Sequence, residues 1–317
     1  MKITFFETKL EDQTILQSLL PDLEVSYSPA VLSVDSASQA AGSEIISVFV
    51  GSQVNRETID ALPNLKAILT RSTGYDHIDI EHAKQKGITV CNVAGYGSVC
   101  VAEFAFGLIL AVSRRITEAN RRLRQTNEFS FDHLQGFDLH GKTLGVVGTG
   151  RIGQNVIRIA QAFGMTIVAF DLHPNPELAK ICQYVSLDEL LKQADVITIH
   201  LPYSKETRHL INAENLKLVK PSAILVNTAR GEIVETEALT AALIENRLAG
   251  VGLDVLEAES GLKKDKNLVA NHPLMKLDQV VVTPHMAFYT QEAVLQIFQT
   301  TAQNLKQFMA GKPENLV

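Results

Sequence analysis

Three side chains of complementary chemistry follow three apolar runs in the second half of the 317-residue chain. They are Arg230, Glu259 and His285, and each comes just beyond the end of its run. A guanidinium can bind a carboxylate through two hydrogen bonds and polarise a neighbouring carbonyl. A histidine whose charged form is stabilised by a carboxylate can donate a proton to an alkoxide as it forms. With a hydride donor, these groups predict chemistry between a 2-keto acid and its 2-hydroxy acid.

Each of these residues has a plainer interpretation when it is taken alone. Arg230 could be a surface ion-pair residue, Glu259 could face solvent, and His285 could be a structural hydrogen-bonding residue. Two further acids, Asp254 and Glu257, lie close to Glu259 at the end of the same run. The apolar run by itself therefore does not show which acid is the partner of the histidine. The shared position after successive runs, downstream of a nucleotide-binding motif, favours the catalytic interpretation of the three together.

That motif is a glycine-rich turn, Gly148-Thr149-Gly150-Arg151-Ile152-Gly153. It follows an apolar run and opens a helical pattern, which is the context of a dinucleotide-binding turn. Gly148 permits the tight turn, Gly150 lets the backbone approach a pyrophosphate, and Gly153 lets helix and strand pack closely. Asp171 comes about 20 residues later, where a carboxylate binds the ribose 2′-hydroxyl and repels a 2′-phosphate. The motif predicts NAD, rather than NADP, as the cofactor.

Apolar runs alternate with helical patterns on both sides of a long helical region, Val99–Gln125. Such alternation is typical of parallel sheets covered by helices. The runs that predict strands before this region are Lys2–Phe6, Glu24–Tyr27, Ile45–Val50, Ala67–Thr70 and Thr89–Cys91. Those after it are Gly141–Val147, Thr166–Phe170, Val196–His200, Ala223–Asn227, Gly250–Asp254 and Gln279–Thr283, followed by a final helix at Thr290–Ala310. We expect an α/β fold of two doubly wound domains joined by long helices, with a ligand-binding cleft between them.

The composition excludes several functional classes. A net charge of −6 provides no positive field for nucleic acid or an anionic membrane. The 3 cysteines lack metal-binding spacing, so we expect reduced thiols, a cytosolic protein and no metal site. The longest apolar helical stretch, Phe104–Val112, is shorter than the roughly 20 residues that span a bilayer. A local group of arginines is expected to form a solvated face or a subunit contact: Arg114, Arg115, Arg121, Arg122 and Arg124.

Over nearly its whole length the chain resembles the D-isomer specific 2-hydroxyacid dehydrogenases. The motifs that carry the resemblance are Arg71–Asp79, Tyr96 with Val101–Glu103, His140–Thr143, Gly148–Gly153, Asp195–Val196, His200–Pro202, Asn227–Gly231, His272–Leu274 and Thr283–His285. Within the family, Asp171–Leu178 and His285–Thr290 look most like the D-lactate dehydrogenase branch.

The resemblance implies a role for each matching position. It implies that Arg230 binds the substrate carboxylate and that His285 is the acid/base. Its spacing of five residues after Asp254 selects Glu259, rather than Glu257, as the partner of the histidine. It places Asp254 near the nicotinamide. The residues that it assigns to the cofactor are Arg151, Ile152, Leu201, Pro202, Thr228 and Ala229, beside Gly148, Gly150, Gly153 and Asp171. Those that it assigns to the substrate, in addition to Arg230, are Thr73, Gly74 and Tyr96.

The family also implies a domain arrangement and an assembly. Residues 1–98 with 291–317 would form a discontinuous, flavodoxin-like substrate domain, and residues 99–290 a Rossmann NAD domain. The resemblance implies that the chain is a homodimer joined through its long middle helices. Besides a second copy of the chain, the partner that it implies is a small keto or hydroxy acid, and the net charge already predicts no nucleic-acid or membrane partner.

Pyruvate and D-lactate are the leading substrate pair on this resemblance. The chain departs from the lactate branch at Gly97-Ser98, where that branch often has Ser-Pro, and at Phe104, where it often has histidine. Larger keto acids, branched-chain or phenyl, are therefore the nearest alternative. An NAD-sensing corepressor is an alternative from another class, because the same fold serves transcriptional regulators.

Overall fold

A computed structural model describes residues 1–262 and 265–317 of the chain. The chain divides into a first unit, residues 1–96 with 289–317, and a second unit, residues 97–288. Each unit contains a parallel sheet covered by helices, which confirms the predicted α/β fold class. No helix within the described residues is long and apolar enough to cross a membrane.

The sheet of the first unit has five strands, all paired in parallel. They are β1 (Ile3–Phe5), β2 (Val25–Tyr27), β3 (Ile45–Val48), β4 (Ala67–Thr70) and β5 (Thr89–Cys91). Their order, β2-β1-β3-β4-β5, is that of flavodoxin-like folds. Every residue of β3 and β4 is buried, as expected for parallel strands covered on both faces.

The sheet of the second unit has seven parallel strands. They are β6 (Thr143–Val147), β7 (Thr166–Phe170), β8 (Gln183–Tyr184), β9 (Val196–Ile199), β10 (Ile224–Asn227), β11 (Gly250–Leu253) and β12 (Val280–Val282). Their order is β12-β11-β10-β9-β6-β7-β8. The winding reverses between β6 and β9, and in such sheets ligands bind beyond the carboxyl ends of the strands at this point.

Eleven α-helices lie within the described residues. They are α1 (Leu10–Leu19), α2 (Arg56–Asp60), α3 (Ile80–Gln85), α4 (Cys100–Ser113), α5 (Ile116–Thr126), α6 (Arg151–Ala162), α7 (Leu187–Gln193), α8 (Thr236–Ile244), α9 (Glu259–Leu262), α10 (Lys266–Asn271) and α11 (Gln291–Met309). The prediction of one long helical region at 99–125 was wrong in one respect. Arg115 adopts a left-handed conformation with φ +50, and this residue separates α4 from α5.

Helices cover both faces of each sheet. In the first unit, α11 packs Phe298 and Leu305 against Phe5 of β1 and Leu69 of β4. In the second unit, α4 and α6 contribute to the apolar cluster on one face of the sheet, and α7 and α8 contribute to the cluster on the other face. Burial of apolar side chains on both faces fixes the strands, and so fixes the turns at their carboxyl ends.

Candidate active site

The turn after β6 carries the glycine-rich motif and leads directly into α6. Gly148 has φ +95, and a Cβ on it would lie 2.8 Å from the carbonyl oxygen of His200. A Cβ on Gly153 would lie 2.1 Å from the carbonyl oxygen of Gly148, so both positions require glycine. A Cβ on Gly150 would meet no described atom within 4 Å. The space beside the N-terminus of α6 therefore fits a phosphate that approaches the backbone closely.

The carboxylate of Asp171, directly after β7, is held against this turn. Its Oδ2 accepts hydrogen bonds from the amide of Thr149 at 2.7 Å and from the hydroxyl of Thr149 at 2.9 Å. Its Oδ1 accepts from the amide of His173 at 2.9 Å. Burial opposes ionisation, but these hydrogen bonds outweigh it and lower the pKa of Asp171 below its ordinary value. An anionic carboxylate thus lies where the sequence predicts the ribose-binding acid.

The other residues predicted to contact the cofactor lie at the carboxyl ends of strands or on the first turn of α6. Leu201 and Pro202 follow β9, and Thr228 and Ala229 follow β10. The hydroxyl of Thr228 is buried and has no hydrogen-bond partner among the described residues, which fits a contact with a bound ligand. The remaining two predicted cofactor residues are the first residues of α6. Arg151 is exposed and Ile152 is half-buried.

His200, for which the sequence predicts no role, lies beside the glycine turn, where its carbonyl oxygen would be 2.8 Å from a Cβ on Gly148. It follows β9 at the reversal of the sheet, and its Nε2 lies 2.8 Å from the hydroxyl of Thr198. Its Nδ1 is buried and unpaired among the described residues. Burial lowers the pKa of His200 to about 3, so the ring is neutral at physiological pH. A histidine at the end of an apolar run is the sequence signal that could have identified it.

The turn after β10 presents Arg230 through a set of short-range hydrogen bonds. The buried Asn227 donates from Nδ2 to the carbonyl of Arg230 at 2.7 Å and accepts from the amide of Ala229 at 2.9 Å. A Cβ on Gly231 would lie 2.1 Å from the carbonyl carbon of Leu256, so the turn packs directly on the chain that follows β11. The Nη1 atom of Arg230 also donates to the carbonyl of Ala229 at 2.8 Å, so side-chain and backbone contacts together fix the arginine turn.

His285 and Glu259 are in direct contact. The Nδ1 atom of His285 lies 2.9 Å from both carboxylate oxygens of Glu259. Only about a fifth of the histidine side chain is exposed, which limits solvent screening of the pair. Because Nδ1 faces the carboxylate, Nε2 is the ring nitrogen that remains for a substrate. The strand register aligns Asn227, Leu253 and Val282, so the arginine and histidine turns follow strands that end at the same level.

Asp254 fixes the backbone that carries His285. Its carboxylate accepts hydrogen bonds from the Thr283 hydroxyl at 2.5 Å, the Met286 amide at 2.9 Å and the Ala287 amide at 2.8 Å. Burial raises the pKa of Asp254, and these bonds only partly offset that effect. The side chain is 1% exposed. Asp254 therefore shapes the histidine turn, where His285 adopts φ +54, and its predicted contact with the nicotinamide stays a prediction.

Glu257, the other acid in this segment, is engaged elsewhere. It lies 2.7 Å from Nε2 of His209 and accepts a hydrogen bond from the amide of Thr236 at the start of α8. Burial opposes its ionisation, but the bonds from Thr236 and His209 lower the pKa of Glu257. It is Glu259 that contacts His285, in agreement with the family spacing.

The first unit holds the remaining predicted substrate residues. Asn92 donates to the carbonyl of Thr73 at 2.8 Å, and Ser72 donates to the carbonyl of Gly74 at 2.7 Å. Within the described residues the amides of Thr73 and Gly74 donate no hydrogen bond, which fits the predicted binding of a carboxylate. Tyr96, the last residue of this segment of the unit, is half-buried.

Comparison with known proteins identifies the relatives of the chain. Residues 106–287 match the family model described as D-isomer specific 2-hydroxyacid dehydrogenase, NAD binding domain. A D-lactate dehydrogenase of Curvularia clavata is 37% identical, over 99% of this chain and 94% of the relative. A glyoxylate reductase of Thermofilum pendens is 42% identical, over 82% of this chain and 76% of the relative. The structure of D-lactate dehydrogenase from Aquifex aeolicus, complexed with NAD and lactic acid, aligns with a TM-score of 0.91 and 37% identity, covering 98% of this chain and 96% of that one.

Proposed function

This chain belongs to the D-isomer specific 2-hydroxyacid dehydrogenase family, and on that premise we propose that its substrate pair is pyruvate and D-lactate. The chain is an NAD-dependent D-2-hydroxyacid dehydrogenase. The relatives named as D-lactate dehydrogenases span nearly its whole length, which supports the finer assignment. We further propose residues 99–290 as the NAD domain and residues 1–98 with 291–317 as the substrate domain.

The His285–Glu259 pair is the observation that carries the proposed mechanism. The guanidinium of Arg230 binds the substrate carboxylate and polarises the keto oxygen. The anionic Glu259 at Nδ1 stabilises the imidazolium, and Nε2 of His285 gives its proton to that oxygen as the alcohol forms. NADH, when bound, supplies the hydride. In the reverse direction Nε2 accepts the proton of the alcohol. Thr73, Gly74 and Tyr96 remain proposed substrate contacts.

Glyoxylate is a second candidate substrate. Three relatives that are 39–42% identical to this chain are named glyoxylate reductases, although they match it over a smaller share of its length than the lactate enzymes do. Glyoxylate differs from pyruvate only by lacking the methyl group, and a hydrophobic contact with one methyl is worth about 1–3 kcal/mol of discrimination. The same catalytic groups would serve both acids.

A panel of keto acids of graded size tests the substrate assignment. Purified protein is mixed with NADH and glyoxylate, pyruvate, a branched-chain keto acid or phenylpyruvate, and NADH absorbance is followed. We expect pyruvate to give the highest kcat/KM and chiral chromatography to identify the product as D-lactate. If another keto acid gave the highest kcat/KM, that result would contradict the assignment of pyruvate as substrate but not the type of reaction. NADH binding without turnover of any keto acid would contradict the reaction itself and favour a sensor.

We also propose that the chain is a homodimer joined through α5 and the segment that follows it. No residue of α5 is buried within this chain. Beyond the helix, the side chains of Phe129 and Phe131 are 97% and 87% exposed. Large apolar groups exposed together are typical of a surface that a partner covers, and a second copy of the chain would also cover the exposed Leu123 and Ile116.

The double variant Phe129→Ser, Phe131→Ser is expected to weaken the dimer by at least about tenfold, because two aromatic anchors leave the interface. Sedimentation velocity over a dilution series measures the change. Leu10→Ser is the matched control, since Leu10 is 78% exposed on α1 in the first unit. A wild-type protein that sediments as a monomer would contradict the proposed dimer, and an unchanged double variant would contradict this interface.

A further inference from the structure

A chain of hydrogen bonds in the second unit ends on the carboxylate of Asp171. The amide of Asn175 lies 3.0 Å from the hydroxyl oxygen of Tyr184. That hydroxyl lies 2.9 Å from Oγ1 of Thr149, and Oγ1 lies 2.9 Å from Oδ2 of Asp171. The two-residue strand β8 sets the position of the tyrosine, because Tyr184 pairs with Ala169 of β7, two residues before Asp171.

The groups at the two ends of this series of hydrogen bonds determine the direction of each bond in it. A backbone amide can only donate, so the oxygen of Tyr184 accepts from Asn175. An ionised carboxylate can only accept, so the hydroxyl of Thr149 donates to Asp171. The single proton of the Tyr184 hydroxyl is then donated to Oγ1 of Thr149. Every hydrogen donated in this series of hydrogen bonds therefore points toward the carboxylate of Asp171.

The two carboxylate oxygens of Asp171 differ in the number of hydrogen bonds that they accept. Oδ2 accepts two hydrogen bonds, from the amide and from the hydroxyl of Thr149, and these occupy both of its lone-pair directions. Oδ1 accepts one, from the amide of His173, among the described residues. Oδ1 is thus the atom with an acceptor position left for a ligand hydroxyl.

We propose that Thr149 and Tyr184 are cofactor-specificity residues that act through Asp171. They hold its carboxylate so that Oδ1 faces the ribose 2′-hydroxyl of NAD, and they keep its charge where a 2′-phosphate would come. This inference rests on the proposed role of Asp171 as the ribose-binding acid. The lowered pKa of Asp171 supports it, because a carboxylate that stays ionised repels a phosphate. Thr149 and Tyr184 are positioning residues in this account, because their effect passes through the carboxylate.

Direct binding of NADH and NADPH tests the proposal without reference to any keto acid. The measured quantity is the ratio of the NADPH to the NADH dissociation constant, from titrations of nicotinamide fluorescence. Loss of one hydrogen bond in Tyr184→Phe should lower this ratio by about 3- to 10-fold. Thr149→Val, which loses the hydroxyl itself, should lower it by about tenfold or more, and Thr149→Ser, which keeps the hydroxyl, should restore it.

Three further variants make the test specific. Asp171→Ala should lower the ratio more than any variant above, and adding Tyr184→Phe to it should cause no further fall, since coupled residues are not additive. Tyr27→Phe, at a half-buried tyrosine of β2 in the first unit, should leave the ratio unchanged. An unchanged ratio in Tyr184→Phe would overturn the inference. So would an equal fall in the ratio when Tyr184→Phe is introduced into the wild-type protein and into Asp171→Ala. An unchanged ratio in Asp171→Ala would instead overturn the ribose assignment, and this inference with it.

Discussion

Replacing His285 with glutamine is expected to slow keto acid reduction by about 10³-fold. The Glu259 carboxylate contacts Nδ1, so Nε2 is the atom that gives a proton to the substrate. A glutamine amide can donate a hydrogen bond to the keto oxygen but cannot transfer a proton to it. The rate is measured as the decay of NADH absorbance in a single turnover, so that slow product release does not hide the chemical step.

His209 offers a matched control for this experiment. It belongs to the same unit, its Nε2 lies 2.7 Å from Glu257, and its side chain is partly exposed like that of His285. His209→Gln should change the single-turnover rate by less than about threefold, because this second pair has no place in the proposed proton transfer. If His285→Gln kept more than about a tenth of the wild-type rate, the proton donor would have to be another group.

The sequence predicts the elements of the fold well because parallel strands are buried on both faces. Such strands are short runs of apolar residues, and β9 and β10 coincide with runs that stand out from their polar surroundings. The glycine motif is equally readable, because Gly148 and Gly153 meet backbone atoms where any Cβ would collide. Adjacent strand order then brings the turns after β10, β11 and β12 to one edge of the sheet.

Contacts that depend on the register between strands could not be predicted. Asp254 bonds to Thr283, Met286 and Ala287, which follow a different strand, and no local pattern connects it to them. The break between α4 and α5 is also hidden, because Arg115 adopts a left-handed conformation without glycine or proline to signal it. The strand β8 has two residues, too few to show any period, although it positions the tyrosine that contacts the glycine turn.

Replacing Arg230 with glutamine is expected to lower kcat/KM for pyruvate by about 10²- to 10³-fold. The guanidinium is proposed to bind the carboxylate through two hydrogen bonds and to polarise the keto oxygen, and glutamine brings neither the charge nor the fork. Arg230→Lys keeps a point charge, so it should lose less, but it should not reach the wild-type value. Steady-state rates with NADH and varied pyruvate give the constants, and a fluorescence titration checks that NADH still binds.

The guanidinium donates to the carbonyl of Ala229, but the turn that carries it is also fixed by contacts that do not involve the arginine side chain. Asn227 fixes this turn by hydrogen bonds to the backbone of Ala229 and Arg230, and a substitution beyond the Cβ of the arginine leaves those bonds in place. Added guanidinium salt should therefore restore part of the activity of Arg230→Ala, because Asn227 still holds the turn and the space of the lost guanidinium is vacant. Arg158→Gln, on the exposed face of α6, should retain the wild-type kcat/KM and need no rescue. An Arg230→Gln enzyme with an unchanged kcat/KM would mean that the substrate carboxylate is bound by another cation.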